Sequence, residues 1–117
     1  MTAYAIARLM PTGQPHDEVL DYIERIQATM DPYEGRFLVH GTAHEVMEGD
    51  WPGSVVVIGF PSLDAARAWY DSDAYRALIP LRTRHIPGDI ILVRGTGPDY
   101  DPHATAAALR ASRDGTP

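Results

Sequence analysis

Residues 48–82 read EGDWPGSVVVIGFPSLDAARAWYDSDAYRALIPLR, and this stretch decides the fold. The run SVVVIGF at 54–60 is continuously apolar and β-branched, the pattern of a strand covered on both faces, so it is the central strand of a sheet. Ser62 then supplies an N-cap for a helix over 63–71, with Asp64 in the first turn and Ala66, Trp69 and Tyr70 on its apolar side. Ser72 starts a second helical segment. Pro80 is expected to kink or end that segment one turn before Arg82, because proline lacks the N–H that a helix needs.

Working outward, the alternation of Ala3, Ala5 and Ala7 with Tyr4, Ile6 and Arg8 has the period of two that marks a strand, and the alanine face lets a helix approach closely. After a turn, Val19, Leu20, Ile23, Ile26, Gln27 and Met30 keep helical spacing with one polar exception. Asp17 and Glu18 favour the first turn of that helix, and DPYEG at 31–35 stops it. Residues 36–46 are expected to form a strand with Arg36, Leu38, His40, Thr42 and His44 on one face and Phe37, Val39, Gly41 and Ala43 on the other. The turn MEGDWPG joins it to the central strand. GDIILVRG at 88–95 is the last strand. Beyond it lies a loop and an alanine-rich helix with one large apolar residue, Leu109, which alone is marginal in water and must dock or fray. The organisation expected is one domain over 1–95 and a tail over 96–117.

The order βαββαβ with right-handed crossovers predicts an α+β fold: one antiparallel sheet of order 4-1-3-2 with both helices on one face, the ferredoxin-like arrangement. The other face would then be bare. Strands 3 and 4 are apolar on both sides, so a second copy is the economical cover, and a homodimer closed face to face as a dimeric α/β barrel is expected.

Composition narrows the chemistry. The 117-residue chain has no cysteine, which excludes disulfides, thiolate nucleophiles and iron–sulfur clusters. All ten basic residues are arginine, which removes lysine Schiff bases and P-loop phosphate transfer. Such arginine and alanine use is the pattern of GC-rich bacterial genomes. A formal net charge of -6 opposes nucleic-acid binding. No window approaches the ~18 apolar residues of a membrane span, and a cytoplasmic location is expected.

GRFLVHG, EGDW, VVVIGFPS, AWYDSDAY and LR, in this order, resemble the DUF1330 family, small proteins of the dimeric α/β-barrel superfamily, over about residues 2–95. Relatives in that superfamily include cofactor-free monooxygenases, muconolactone-type isomerases, polyketide-modifying enzymes and heme proteins, and fold alone does not choose among them. The chain departs from the family pattern at His40, where an arginine is usual, and at Gly59 and Ala74, where glutamates are usual. If the hairpin is symmetric about Gly49 and Asp50, His40 lies directly opposite Gly59, so an Arg–Glu pair would be replaced by an imidazole beside an empty space.

His40 is the candidate general base, because imidazole titrates near neutrality; a hydrogen-bonded structural histidine is the alternative. His44 would share its face and contribute to substrate binding, or be structural near the strand end, but at roughly 13 Å along the strand the two cannot bind one metal unaided. Tyr75 and Arg82 would present a phenol beside a guanidinium to a carboxylate or enolate, unless Arg82 pairs with Asp71, Asp73 or Asp89. Trp51 would anchor its loop or cover a ligand entrance, and Tyr70 and Arg36 would line the same site or serve the core edge and the solvated strand end. No metal and no cofactor is expected. The reading is a cofactor-independent proton transfer, isomerisation or oxygenation on a small aromatic or polyketide-like acid. The alternative is a noncatalytic small-ligand binding or interaction module.

Overall fold

The computed structural model describes residues 2–115. Strand β1 (Ala3–Leu9), helix α1 (Asp17–Met30), strands β2 (Arg36–His40) and β3 (Ser54–Phe60), helices α2 (Leu63–Asp71) and α3 (Asp73–Thr83), strand β4 (Gly88–Arg94) and helix α4 (Pro102–Arg113) follow one another. The sheet order is β2-β3-β1-β4 and every pairing is antiparallel, so the fold is ferredoxin-like. Among the described residues no helix is long and apolar enough to cross a membrane.

Local chemistry sets the helix starts. Ser62 Oγ accepts from the Ala65 N–H at 3.0 Å and Ser72 Oγ from the Tyr75 N–H at 3.2 Å, each satisfying an amide that the first turn cannot. His16 caps α1 in the same way, its Nδ1 accepting from the Glu18 N–H at 3.0 Å. Of the two outcomes expected at Pro80, a kink or an end, the helix does not end there. The helix runs on to Thr83, and the Arg84 N–H still bonds the Pro80 carbonyl at 3.2 Å.

The alanine face of β1 is buried, and α1, α2 and α3 close over it. Trp69, Tyr75, Phe60, Met30 and Leu78 fill the space between. The Trp69 indole N–H donates to Thr29 Oγ1 at 3.0 Å, and Thr29 in turn donates to the Ile26 carbonyl at 2.6 Å, so the polar atoms in this core are satisfied. The apolar stripe of α1 is rotated from its expected place. Tyr22 and Thr29 are buried with Val19, Ile26 and Met30, whereas Leu20 and Ile23 stay 42% and 44% exposed.

Strand β2 corrects the hairpin expected from sequence. It ends at His40 rather than near residue 46, because Gly41 takes a φ of +66° and turns the chain away. Gly59 faces Arg36 and not His40, which lies opposite Val56. Between Phe37 and Val39 the register shifts by one residue, a bulge that carries Leu38 as the extra member. One inserted residue flips everything after it, so His40 joins Phe37 on the helix-covered face, where the rings stack at 4.0 Å. No empty space adjoins His40 through Gly59. A Cβ at Gly59 would meet Leu38 Cδ1 at 3.2 Å, so Leu38 occupies the place beside the glycine on the other face.

That other face carries Ile6, flanked across the strands by Val57 and Ile91, with Val93, Leu38 and the Arg8–Asp89 ion pair (3.2 Å) around it. Ile91 is 57% and Leu38 49% exposed. The tail forms α4, capped by Asp101, and buries none of its residues.

Candidate active site

A cavity of about 500 Å³ opens between the inner face of the sheet and the N-terminal half of α1. Its floor is the end of β1 and β3 (Leu9, Val56) with His40, its wall is Val19 and Tyr22, and Arg82 reaches in from the last turn of α3. Behind it a chamber of about 30 Å³, room for a single water, shares Tyr22, His40 and Arg82 and continues to Trp69 and Tyr75.

Arg82 is the unusual group. It is 7% exposed, and among the described residues no carboxylate lies within ion-pair distance of it. Of the three acids expected as its partners, Asp71 pairs with Arg76 at 3.5 Å and Asp89 with Arg8, and Asp73 forms no ion pair with it. The guanidinium instead lies 5.6 Å from the centre of the Tyr22 ring, a cation–π contact. Burial pulls the guanidinium toward its neutral form, but the neighbouring phenols of Tyr22 and Tyr75 more than reverse this, so Arg82 keeps its charge. A buried cation that lacks an anion is costly unless something compensates it.

The hydroxyls of Tyr22 and Tyr75 are 2.7 Å apart. Burial above all, reinforced by Tyr22, pushes the Tyr75 phenol far up, and Arg82 recovers only part of that, so Tyr75 remains a neutral phenol. Tyr75 lines the rear chamber and Tyr22 the main cavity, so Tyr22 is the front member of the pair. The sequence reading chose Tyr75 and passed over Tyr22. The available signal was position: 22 falls between 19 and 26 on the same helical stripe.

His40 lines the cavity floor while remaining exposed to solvent, and its partial burial lowers its pKa, favouring the neutral imidazole that can accept a proton. The remaining sequence candidates lie apart from it. Arg36 is exposed opposite Gly59. His44 is exposed in the loop after β2 and not on a strand, and Trp51, 45% exposed in the same loop, does not line the cavity. Tyr70 packs on the core with its ring 5.6 Å from that of Tyr75.

The mouth holds a second group of polar residues that the sequence reading did not single out. The imidazoles of His16 and His85 stack at 3.8 Å and both line the opening. His85 Nε2 lies 2.8 Å from Glu18 Oε1, and Arg84 donates to Glu18 Oε2 at 3.0 Å. The hydrogen bond from His85 chiefly holds the Glu18 carboxyl below its ordinary range, with Arg84 adding to it and burial opposing. Donor atoms of His16, Glu18 and His85 all fall within 4.8 Å of one another.

Solved structures share this fold at low identity. A protein of unknown function from Rhodopseudomonas palustris superposes with a TM-score of 0.63 at 14% identity, covering 83% of this chain and 84% of its own. SnoaB, a cofactor-independent oxygenase from Streptomyces nogalater, gives 0.59 at 15% identity over 86% of this chain and 98% of its own. A dimeric ferredoxin-like protein of unknown function from Jannaschia gives 0.63 at 10% identity over 81% and 100%. No curated protein sequence matches the chain. The family model described as a domain of unknown function, DUF1330, matches residues 2–96, and the chain therefore belongs to the DUF1330 family.

Proposed function

We propose that the cavity binds a small aromatic or polyketide-like acid and moves a proton on it without a redox cofactor, in a homodimer closed through the bare sheet face. The observation that carries this reading is Arg82, a buried guanidinium facing a cavity of about 500 Å³ with no carboxylate partner among the described residues. An anionic ligand supplies the missing charge. With Tyr75 donating to Tyr22, the Tyr22 O–H is free to donate into the cavity, so a carboxylate or enolate oxygen meets both a guanidinium and a phenol. Neutral His40, on the floor of the same cavity, accepts the proton that leaves as the oxyanion develops. The carbanion is then reprotonated at another atom by His40, which is isomerisation, or forms a C–O bond to dioxygen, and the peroxide takes the proton back from His40 and loses water to leave a ketone, the substrate supplying the electrons. The likeness to a cofactor-independent oxygenase supports this only at the level of the fold. Pairing of two copies is supported by the apolar row of Val57, Ile6 and Ile91 and by a structural neighbour described as dimeric.

Exchange of solvent deuterium into C3 of phenylpyruvate, an enolisable aromatic acid, followed by proton NMR, tests the chemistry. The wild type should accelerate exchange and His40→Ala should return it to the uncatalysed rate with the fold intact by circular dichroism. Equal exchange in the two proteins would remove His40 as the base. Saturable binding without exchange would make the protein a noncatalytic binder.

A further inference from the structure

We propose that His16, Glu18 and His85 form a binding site for a divalent transition ion, of the zinc type, at the mouth of the cavity. The three residues come from the first turn of α1 and its cap, and from the turn after α3, so the ion would tie together two segments distant in sequence. Two imidazoles and one carboxylate are a donor set that suits zinc, cobalt and nickel and leaves a coordination position open. Both histidines line the cavity, so the ion would sit at its edge.

The geometry is close to what an ion requires. Bonds of about 2.0–2.1 Å in a tetrahedral arrangement place donor atoms about 3.3 Å apart. Here all three lie within 4.8 Å of one another, so one ion can bridge them once the His16–His85 stack opens, the rings turn, and the 2.8 Å hydrogen bond between His85 Nε2 and Glu18 Oε1 gives way to bonds to the ion. Glu18 can serve two partners at once, Oε1 toward the ion and Oε2 held by Arg84 at 3.0 Å, which orients the carboxylate from outside. Two features oppose the ion. The Arg84 charge and the positive end of α1 are nearby, and His16 Nδ1 already accepts from the Glu18 N–H. Ligation through His16 Nε2 moves that ring's proton to Nδ1 and ends the cap bond. Both costs select ions with strong imidazole affinity over magnesium or calcium. The site is independent of the acid-binding reading, because Arg82 takes no part in it.

Titration of chelator-treated protein with Co²⁺, read by its visible absorption, and with Zn²⁺, read by calorimetry, tests the site. One ion per chain should bind, with a rise in thermal midpoint. His85→Ala should weaken binding by about tenfold or more. His16→Asn keeps a capping acceptor but lacks the imidazole, so it should stay as stable as the wild type and lose comparable affinity, separating ligation from helix capping. His103→Ala, in the exposed tail, should bind as the wild type does, and Arg82→Met should too. Absence of binding, or unchanged affinity in both His85→Ala and His16→Asn, would overturn the proposal.

Discussion

The two faces of the sheet carry different kinds of side chain. On the covered face, small alanines on β1 let the helices close in, and the space left near the strand ends holds a charged arginine, two phenols and an imidazole. The uncovered face is more apolar, with Ile6, Val57, Ile91, Val93 and Leu38 together and the charged Arg8, Asp89 and Arg36 toward its ends and edge. A ligand site needs polar groups kept from water, whereas an assembly surface needs apolar area with few of them. The bulge at Leu38 connects the two faces: it sends Leu38 over Gly59 on one side and delivers His40 to the other.

The largest effect should come from the bare face. Ile91 is mostly exposed in the single protomer, so Ile91→Asp should leave each protomer folded while placing an unpaired carboxylate in the pair's interface, at a cost of about 3–5 kcal/mol. Sedimentation velocity should find the wild type dimeric and the variant monomeric. An unchanged dimer would mean that the copies meet elsewhere.

On the covered face, Arg82→Met keeps the length of the side chain and removes the charge. Binding of a probe acid such as benzoate should weaken by roughly 10- to 100-fold, since hydrogen bonds to charged groups contribute about 1.5–3 kcal/mol. Stability in urea should hold or rise, because the arginine has no carboxylate partner to lose. A marked loss of stability would recast Arg82 as a structural residue.

His40 should impose a pH dependence. Its folded pKa lies below the ordinary 6.5, so between the two values the unfolded chain binds more protons and stability rises with pH. The contribution is fully present above pH 6.5 and declines as pH falls toward the folded pKa. His40→Gln should flatten that part of the urea-unfolding profile, and any proton-transfer activity should persist somewhat below pH 6.5. A profile unchanged by the substitution would place the titration elsewhere.

The smallest effect is at the phenol pair. Tyr75→Phe removes one neutral hydrogen bond, worth about 1 kcal/mol, and should reduce benzoate affinity only a few-fold by loosening Tyr22. An effect as large as that of Arg82→Met would make Tyr75 a direct contact.

Much of this architecture was legible because it rests on local rules. Ser62 and Ser72 read as caps from their positions alone, Trp69 as core, and the strand order followed from the alternation of elements and the handedness of crossovers. The site was legible only in part. Strict alternation along β2 cannot foresee a bulge, so it pairs His40 with Gly59 and groups it with Arg36 and Leu38, whereas the structure pairs it with Val56 and puts it on the face of Phe37. Tyr22 was hidden because Leu20 and Ile23 satisfy a hydrophobic count equally well, and only packing against α3 shows which stripe is buried. The pairing of His16 with His85 depends on tertiary contact between segments far apart in the chain, a relation that no spacing rule reports.

The central claim, that Arg82 makes the cavity an anion site, is tested most directly by nitrogen–proton correlation NMR of the arginine side chains during titration with benzoate. The account predicts saturable shifts of the Arg82 Nε–H signal and of the Gly41 and Val56 amides, absent in Arg82→Met. Shifts confined to exposed arginines such as Arg67 and Arg110, or no saturable shift at Arg82, would contradict it.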